Sequence, residues 1–158
     1  METMNGWKRT HYCGEFTAAN IGEEVIVCGW VQKQRDLGAL IFVDLRDRTG
    51  ILQLAFTENT EREVFEKAFT LRSEYVVAAK GVVRERAAKN ADIPTGDVEL
   101  EVRELRLLAK SETPPFEISA DCKTEELTRL KYRYLDLRRP DLQQNILMRH
   151  KIAKITRD

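Results

Sequence analysis

The stretch from Leu40 to Phe56 constrains the fold more than any other part of the chain. Leu40-Ile41-Phe42-Val43-Asp44-Leu45-Arg46 alternates in polarity, Asp47-Arg48-Thr49-Gly50 is a run of turn formers, and Ile51-Leu52-Gln53-Leu54-Ala55-Phe56 continues in extended style. Successive side chains of a strand point to opposite faces. Ile41, Val43 and Leu45 therefore share an inner face with Leu52, Leu54 and Phe56. Phe42, Asp44 and Arg46 point outward, with Ile51, Gln53 and Ala55 on the same side. If Arg48-Thr49 is the loop of a tight hairpin, Asp47 pairs with Gly50 and Phe42 lies opposite Ala55. Gln53 is then its diagonal neighbour on the outer face.

Further segments read as strands around this hairpin. Val25 to Val31 is β-branched and aromatic before turning polar at Gln32-Lys33-Gln34-Arg35, and Tyr75 to Arg86 and Val98 to Leu108 follow later. Gly29, Gly50 and Gly81 fall where a small barrel needs bends or tight turns. Between the third and fourth strands, Thr60-Glu61-Arg62-Glu63 has the form of a capping box. Val64, Phe65, Ala68, Phe69 and Leu71 then recur at helical spacing. A mainly β chain of this order, with one helix between strands 3 and 4, predicts a five-stranded OB-fold Greek-key barrel.

Pro114 and Pro115, within Ser111-Glu112-Thr113-Pro114-Pro115, forbid continued strand pairing and mark a linker. Thr124 to Leu137 reads as helical or turn-like. Asp141 to Asp158 reads as a helix opened by Pro140, with Leu142, Ile146, Leu147 or Met148, Ile152 and Ile155 on an apolar stripe. The expected organisation is a barrel domain over 1–110, a linker or hinge over 111–140, and the start of a further domain over 141–158. No core follows to bury the stripe, so the chain is expected to be part of a longer protein.

Composition narrows the functional classes. A hydrophobic content of 42% supports a real core rather than wholesale disorder. Lys and Arg number 26 against 26 Asp and Glu, so any nucleic-acid site must rest on local clusters rather than a basic excess. His11 and His150 are far apart and Cys13, Cys28 and Cys122 form no CxxC pair, so no metal ligands are expected. Unpaired cysteines fit the reduced thiols of a cytoplasmic protein. The N-terminus lacks the regions of a signal peptide, and no apolar run approaches the roughly 18 residues of a membrane span. No nucleophile–base pair, phosphate-cradling glycine loop or supported pair of carboxylates is present. No catalytic residue is expected.

Phe42 carries the functional reading. A phenylalanine on a charged outer face is misplaced as core and suited to stacking a nucleobase, although it could also pack beneath a loop. Gln53 beside it can hydrogen-bond the edge of the stacked base, and would otherwise be an ordinary surface amide. Lys33 and Arg35 supply cations at the end of the first strand. The segment from Arg84 to Asn90 opens the long loop between the last two strands, which OB-folds close over their ligand. Glu99 faces outward, where a carboxylate can accept from an exocyclic base amine. Each of these charges could equally be a solvated surface group. The residues themselves point to a reader of single-stranded nucleic acid, with RNA preferred.

Cys28-Gly29-Trp30-Val31, Arg35-Asp36-Leu37-Gly38 and Ile41-Phe42-Val43-Asp44-Leu45-Arg46-Asp47-Arg48 closely resemble the N-terminal domain of bacterial-type aspartyl-tRNA synthetases. Leu130-Lys131-Tyr132-Arg133-Tyr134-Leu135-Asp136-Leu137-Arg138-Arg139-Pro140 resembles the entrance to the catalytic domain of the same family. The resemblance runs from about Tyr12 onward. It implies an anticodon-binding domain in which Phe42 stacks on the central uracil of a GUC-type anticodon. Arg35, Gln53, Asn90 and Glu99 would contact the bases, with Lys33 as a basic contact. It also implies tRNA(Asp), and possibly tRNA(Asn), as partner. The parent would be a homodimeric class II ligase using ATP and magnesium, with its catalytic motifs beyond this chain and no cofactor in the fragment. Leu37-Gly38 resembles the forms selective for tRNA(Asp). A sister synthetase for asparagine or lysine, or a free-standing single-strand binder, are the alternatives.

Overall fold

The alternating segments pair as the walls of a closed barrel. In the computed structural model, which describes Met1–Asp158, five strands are formed: β1 (Glu24–Asp36), β2 (Ile41–Arg46), β3 (Ile51–Phe56), β4 (Val76–Glu85) and β5 (Val98–Ala109). They close in the order β1-β2-β3-β5-β4, the OB-fold arrangement. The β3–β5 pairing is parallel, whereas the other pairings are antiparallel. The hairpin register is as the alternation predicts: Phe42 pairs with Ala55, and the Asp47 N–H donates to the Gly50 carbonyl at 3.0 Å.

Val25, Val27, Val31, Ile41, Val43, Leu45, Leu52, Leu54, Phe56, Val83 and Leu100 fill the barrel and are buried. Each such side chain stabilises the fold by about 1.5–3 kcal/mol through removal from water. Gly29 and Gly81 stand where neighbouring strands close in. A Cβ on Gly81 would lie 2.0 Å from the Glu101 carbonyl oxygen, and one on Gly29 2.3 Å from that of Arg46.

Helix α1 (Arg62–Phe69) covers one end, burying Val64 and Ala68, with Leu71 buried just beyond it. The predicted capping box is absent. The N-cap is Glu61, without a side-chain cap bond, because Thr60 Oγ1 instead accepts the Thr57 N–H at 3.0 Å in the preceding turn. The Gln34 amide donates to the carbonyls of Ala68 and Phe69 at 3.0 and 3.3 Å. That bond ties β1 to the free C-terminal carbonyls of α1.

Arg46 points outward as the alternation predicts, yet it is not in solvent. It is only 9% exposed and donates through Nη2 to both carboxylate oxygens of buried Glu74, at 2.9 and 3.0 Å. The segment before β4 folds over the outer end of β2, so the alternation is kept while the solvent is lost.

The chain divides into two compact units, Met1–Thr113 and Pro114–Asp158. The second contains α2 (Glu126–Lys131), α3 (Arg133–Asp136) and α4 (Pro140–Arg157). Its small core joins Phe116, Ile118 and Leu135, with Cys122 and Tyr132 against them. Buried Asp136 accepts from Arg133 at 3.3 Å and Arg139 at 3.2 Å, and Arg139 also donates to the Ala120 carbonyl. Pro140 occupies the first turn of α4, and α4 buries none of its residues. No helix of the structure is long and apolar enough to cross a membrane.

Candidate nucleic-acid interface

A β-bulge between Val31 and Lys33 prepares this face. Val25, Val27 and Val31 point inward at odd positions, and unbroken alternation would send Lys33 and Arg35 inward too. The extra residue reverses the sense of alternation. Val31 still pairs with inward Leu45, but Lys33 pairs with Asp44 and Arg35 with Phe42.

Two adjacent rows then cross the outer surface. Lys33, Asp44, Gln53, Glu99 and Arg84 are successive ladder partners, and so are Arg35, Phe42, Ala55, Glu101 and Val82. Hydrogen bonds link these rows across all five strands. Arg35 Nη2 donates to Asp44 Oδ1 and Gln53 Oε1, each at 2.9 Å. Gln53 Nε2 donates to Glu99 Oε2 at 2.6 Å. Arg84 completes the belt, donating through Nε to Glu99 at 2.8 Å and through Nη1 to Glu101 at 2.9 Å.

Phe42 sits beside this belt, half-buried, on the fully buried methyl of Ala55. The Arg35 guanidinium carbon is 5.9 Å from its ring centroid, which limits the ring's freedom and adds a cation–π contact. The ring thus forms a supported shelf, with directed polar groups along one side. Gln53 and Glu99 differ from solvated surface groups: they are 4% and 3% exposed. They lie on the predicted face, but long neighbours on tightly spaced strands cover them. Arg35 Nε is buried without an acceptor, a desolvation cost that an acceptor edge above Phe42 would relieve.

Lys33 lies in the first row with an exposed side chain. Asn90 stands apart from the belt. Its Oδ1 accepts the Asp92 N–H at 2.9 Å, and its own N–H donates to the Gly96 carbonyl at 3.0 Å. It shapes the β4–β5 loop, which Thr95 pins to β3 through a hydroxyl bond to the Ile51 carbonyl. A Cβ on Gly96 would meet the Asn90 oxygen at 1.6 Å, so the loop closes only with glycine there. Sequence reasoning passed over Glu101, left Asp44 as an outward neighbour of Phe42 and took Arg84 only as the start of the β4–β5 loop. Their signal was parity: all share the outward face with Phe42 and Glu99.

The belt carries equal numbers of opposite charges. Arg35, Arg84 and Lys33 stand against Asp44, Glu99 and Glu101, which suits reading of base edges better than bulk attraction of phosphates. Residues 25–108 match the tRNA anti-codon family model, described as an OB-fold nucleic acid binding domain. The chain belongs to that family. The aspartate–tRNA ligase of Ruminiclostridium cellulolyticum is 54% identical over 159 residues, covering 99% of this chain and 27% of that protein. The aspartate–tRNA(Asp/Asn) ligase of Thermoanaerobacter pseudethanolicus is 52% identical with the same coverage. Among solved structures, asparaginyl-tRNA synthetase from Pyrococcus horikoshii aligns with a TM-score of 0.69 and 32% identity, over 82% of this chain and 30% of that one. The chain thus spans about a quarter of the length of the curated relatives it matches.

Proposed function

We propose that this chain is the anticodon-binding part of an aspartate–tRNA ligase and that its ligand is the GUC-type anticodon of tRNA(Asp). The observation that carries this is the Phe42 shelf bordered by the Arg35–Gln53–Glu99–Arg84 belt. The central uracil stacks on Phe42, and Gln53 and Arg35 address its edge. Glu99 reads the third base. Both its oxygens are engaged, but each keeps a second lone pair with which to accept the exocyclic amine of cytosine. Lys33 serves the phosphate backbone, and Asn90 holds the β4–β5 loop against the bound strand. Relatives named for aspartate reach 54% identity over 99% of this chain, which favours the aspartate reading.

The division into an anticodon domain over 1–110, a hinge over 111–140 and an opening catalytic segment over 141–158 belongs to the same proposal. The parent attaches aspartate to tRNA in the cytoplasm, as a homodimer. In this reading, ATP and magnesium belong to the part of the parent that this chain does not span.

The decisive experiment titrates two anticodon stem-loops, GUC and GUU, at one salt concentration. A cytosine amine facing Glu99 gains a charge-assisted bond where the uracil carbonyl meets repulsion, so GUC should bind several-fold tighter. Equal affinities would remove Glu99 from this role and favour a parent that serves both tRNA(Asp) and tRNA(Asn). Absence of any preference for GUC over an unrelated loop would overturn the anticodon reading itself.

A further inference from the structure

Glu74 has a backbone φ of 65°, the one positive value outside the glycines. A residue with a Cβ is disfavoured there, and such outliers persist only where the surrounding structure holds them. Three backbone bonds hold this one. The Glu74 N–H donates to the Val31 carbonyl at 2.7 Å, the Val31 N–H to the Tyr75 carbonyl at 2.9 Å, and the Tyr75 N–H to the Arg72 carbonyl at 3.2 Å. Two residues, Glu74 and Tyr75, thus oppose one on β1, the form of a bulge whose first position usually belongs to glycine.

Glycine would fill that position without strain, but it could not reach β2. The Glu74 carboxylate accepts from Arg46 through both oxygens. Arg46 is the β2 partner of Trp30, one pair before Val31 and Leu45. Glu74 therefore grips β1 through its backbone and β2 through its side chain, at the last regular pairs before β1 bulges towards Lys33. Beyond that point β1 has lost its other neighbour. Its pairing with β4 ends at Trp30 and Val76, while its pairing with β2 runs on to Asp36 and Ile41. The face to which Arg35 turns thus depends on how Val31 is held.

We propose that Glu74 is a positioning residue for RNA recognition: it fixes the bulge that turns Arg35 onto the Phe42 face. At 5% exposed it is closed to a ligand, so it acts only through the strands it joins. This inference rests on the anticodon reading, in which Arg35 addresses the middle base. Glu99 is secured separately, by Arg84 on β4, so reading of the third base does not pass through Glu74. The strained backbone and the buried ion pair then have one purpose, to set the parity of the last residues of β1.

The test measures two discriminations of the 158-residue chain by fluorescence anisotropy: GUC against GCC stem-loops for the middle base, and GUC against GUU for the third. Uracil presents an acceptor oxygen where cytosine presents an amine. The wild-type chain should therefore prefer GUC over GCC by about tenfold, as expected for one hydrogen bond to a charged group. R35A should abolish that preference. E74G, which removes strain and side chain together, should abolish it too, with the GUC-to-GUU ratio unchanged and no further loss in the R35A background. L54A, destabilised from the core, should keep both preferences, which separates positioning from stability. E74Q and R46K keep most of the volume of the pair, remain informative if E74G fails to fold, and should each reduce the middle-base preference several-fold. Full retention of that preference by E74Q and R46K, or its loss in L54A as well, would overturn the positioning role while the anticodon reading stands. If neither R35A nor F42A alters affinity for GUC, the anticodon reading falls and this inference with it.

Discussion

Gln53 Nε2 donates to Glu99 Oε2 at 2.6 Å across the parallel β3–β5 pairing that closes the barrel. Because Gln53 Oε1 simultaneously accepts from Arg35, the orientation of its amide is fixed before any ligand arrives. A pre-set amide next to an aromatic shelf loses little rotamer freedom on binding. The same bond also makes Gln53 part of the fold.

Gln53→Ala should therefore reduce both recognition and stability. The substitution leaves buried Glu99 and partly exposed Arg35 each short of one partner, which costs about 1–3 kcal/mol. Urea denaturation should show a lower midpoint with an unchanged slope. An unaltered midpoint would mean that the amide is not engaged as described.

Phe42→Ala should separate binding from folding. Loss of one stacking platform should cost roughly 1–3 kcal/mol of RNA affinity. Leu54→Ala, by contrast, opens a cavity in the barrel and should cost about 2–5 kcal/mol of stability. Equal destabilisation by the two substitutions would show that Phe42 is a core residue.

Glu74→Ala should be among the most damaging single changes outside the face. It strands the Arg46 guanidinium, and breaking a buried pair from one side costs about 3–5 kcal/mol. The ratio of affinities for GUC and GUU loops should not change in whatever fraction stays folded. A thermal midpoint like that of the parent chain would refute the buried pair.

Asp47 predicts an acid-sensitive step in stability. Burial opposes its ionised form, but hydrogen bonds from the N–H groups of Cys13, Thr49 and Gly50 and from the Thr49 hydroxyl outweigh burial and hold its carboxyl below the usual range. A carboxyl with a depressed folded pKa stabilises the fold fully above its unfolded pKa of about 4, and loses that contribution as pH falls through the folded value. Wild type and Asp47→Asn should differ in stability at neutral pH and converge on acidification. A difference that stays constant down to pH values well below about 4 would rule out this linkage.

The sequence by itself determined the barrel and which side chains of its central hairpin share the outer face with Phe42. Alternation in Ile41–Arg46 and Ile51–Phe56, bracketed by the Asp47–Gly50 turn, fixes which side chains are inside. Hairpin geometry then places Phe42 on Ala55. These are local rules, so no distant residue was needed to apply them. Capping of α1 was misread because a threonine near a helix start can serve the helix or the turn before it, and only the path from Thr57 decides which. The burial of Arg46 was invisible for a similar reason: Glu74 lies 28 positions away. The side of the sheet that Lys33 and Arg35 occupy depends on the bulge after Val31. A single inserted residue reverses strand parity, and the partner strand, rather than the run of residues, shows where it falls. The tertiary structure alone also turned Asp44, Arg35, Gln53, Glu99 and Arg84 from five separate charged or polar residues into one connected belt. Closing the barrel brings β3 against β5, and only that closure puts Gln53 within hydrogen-bonding distance of a carboxylate 46 positions further along the chain.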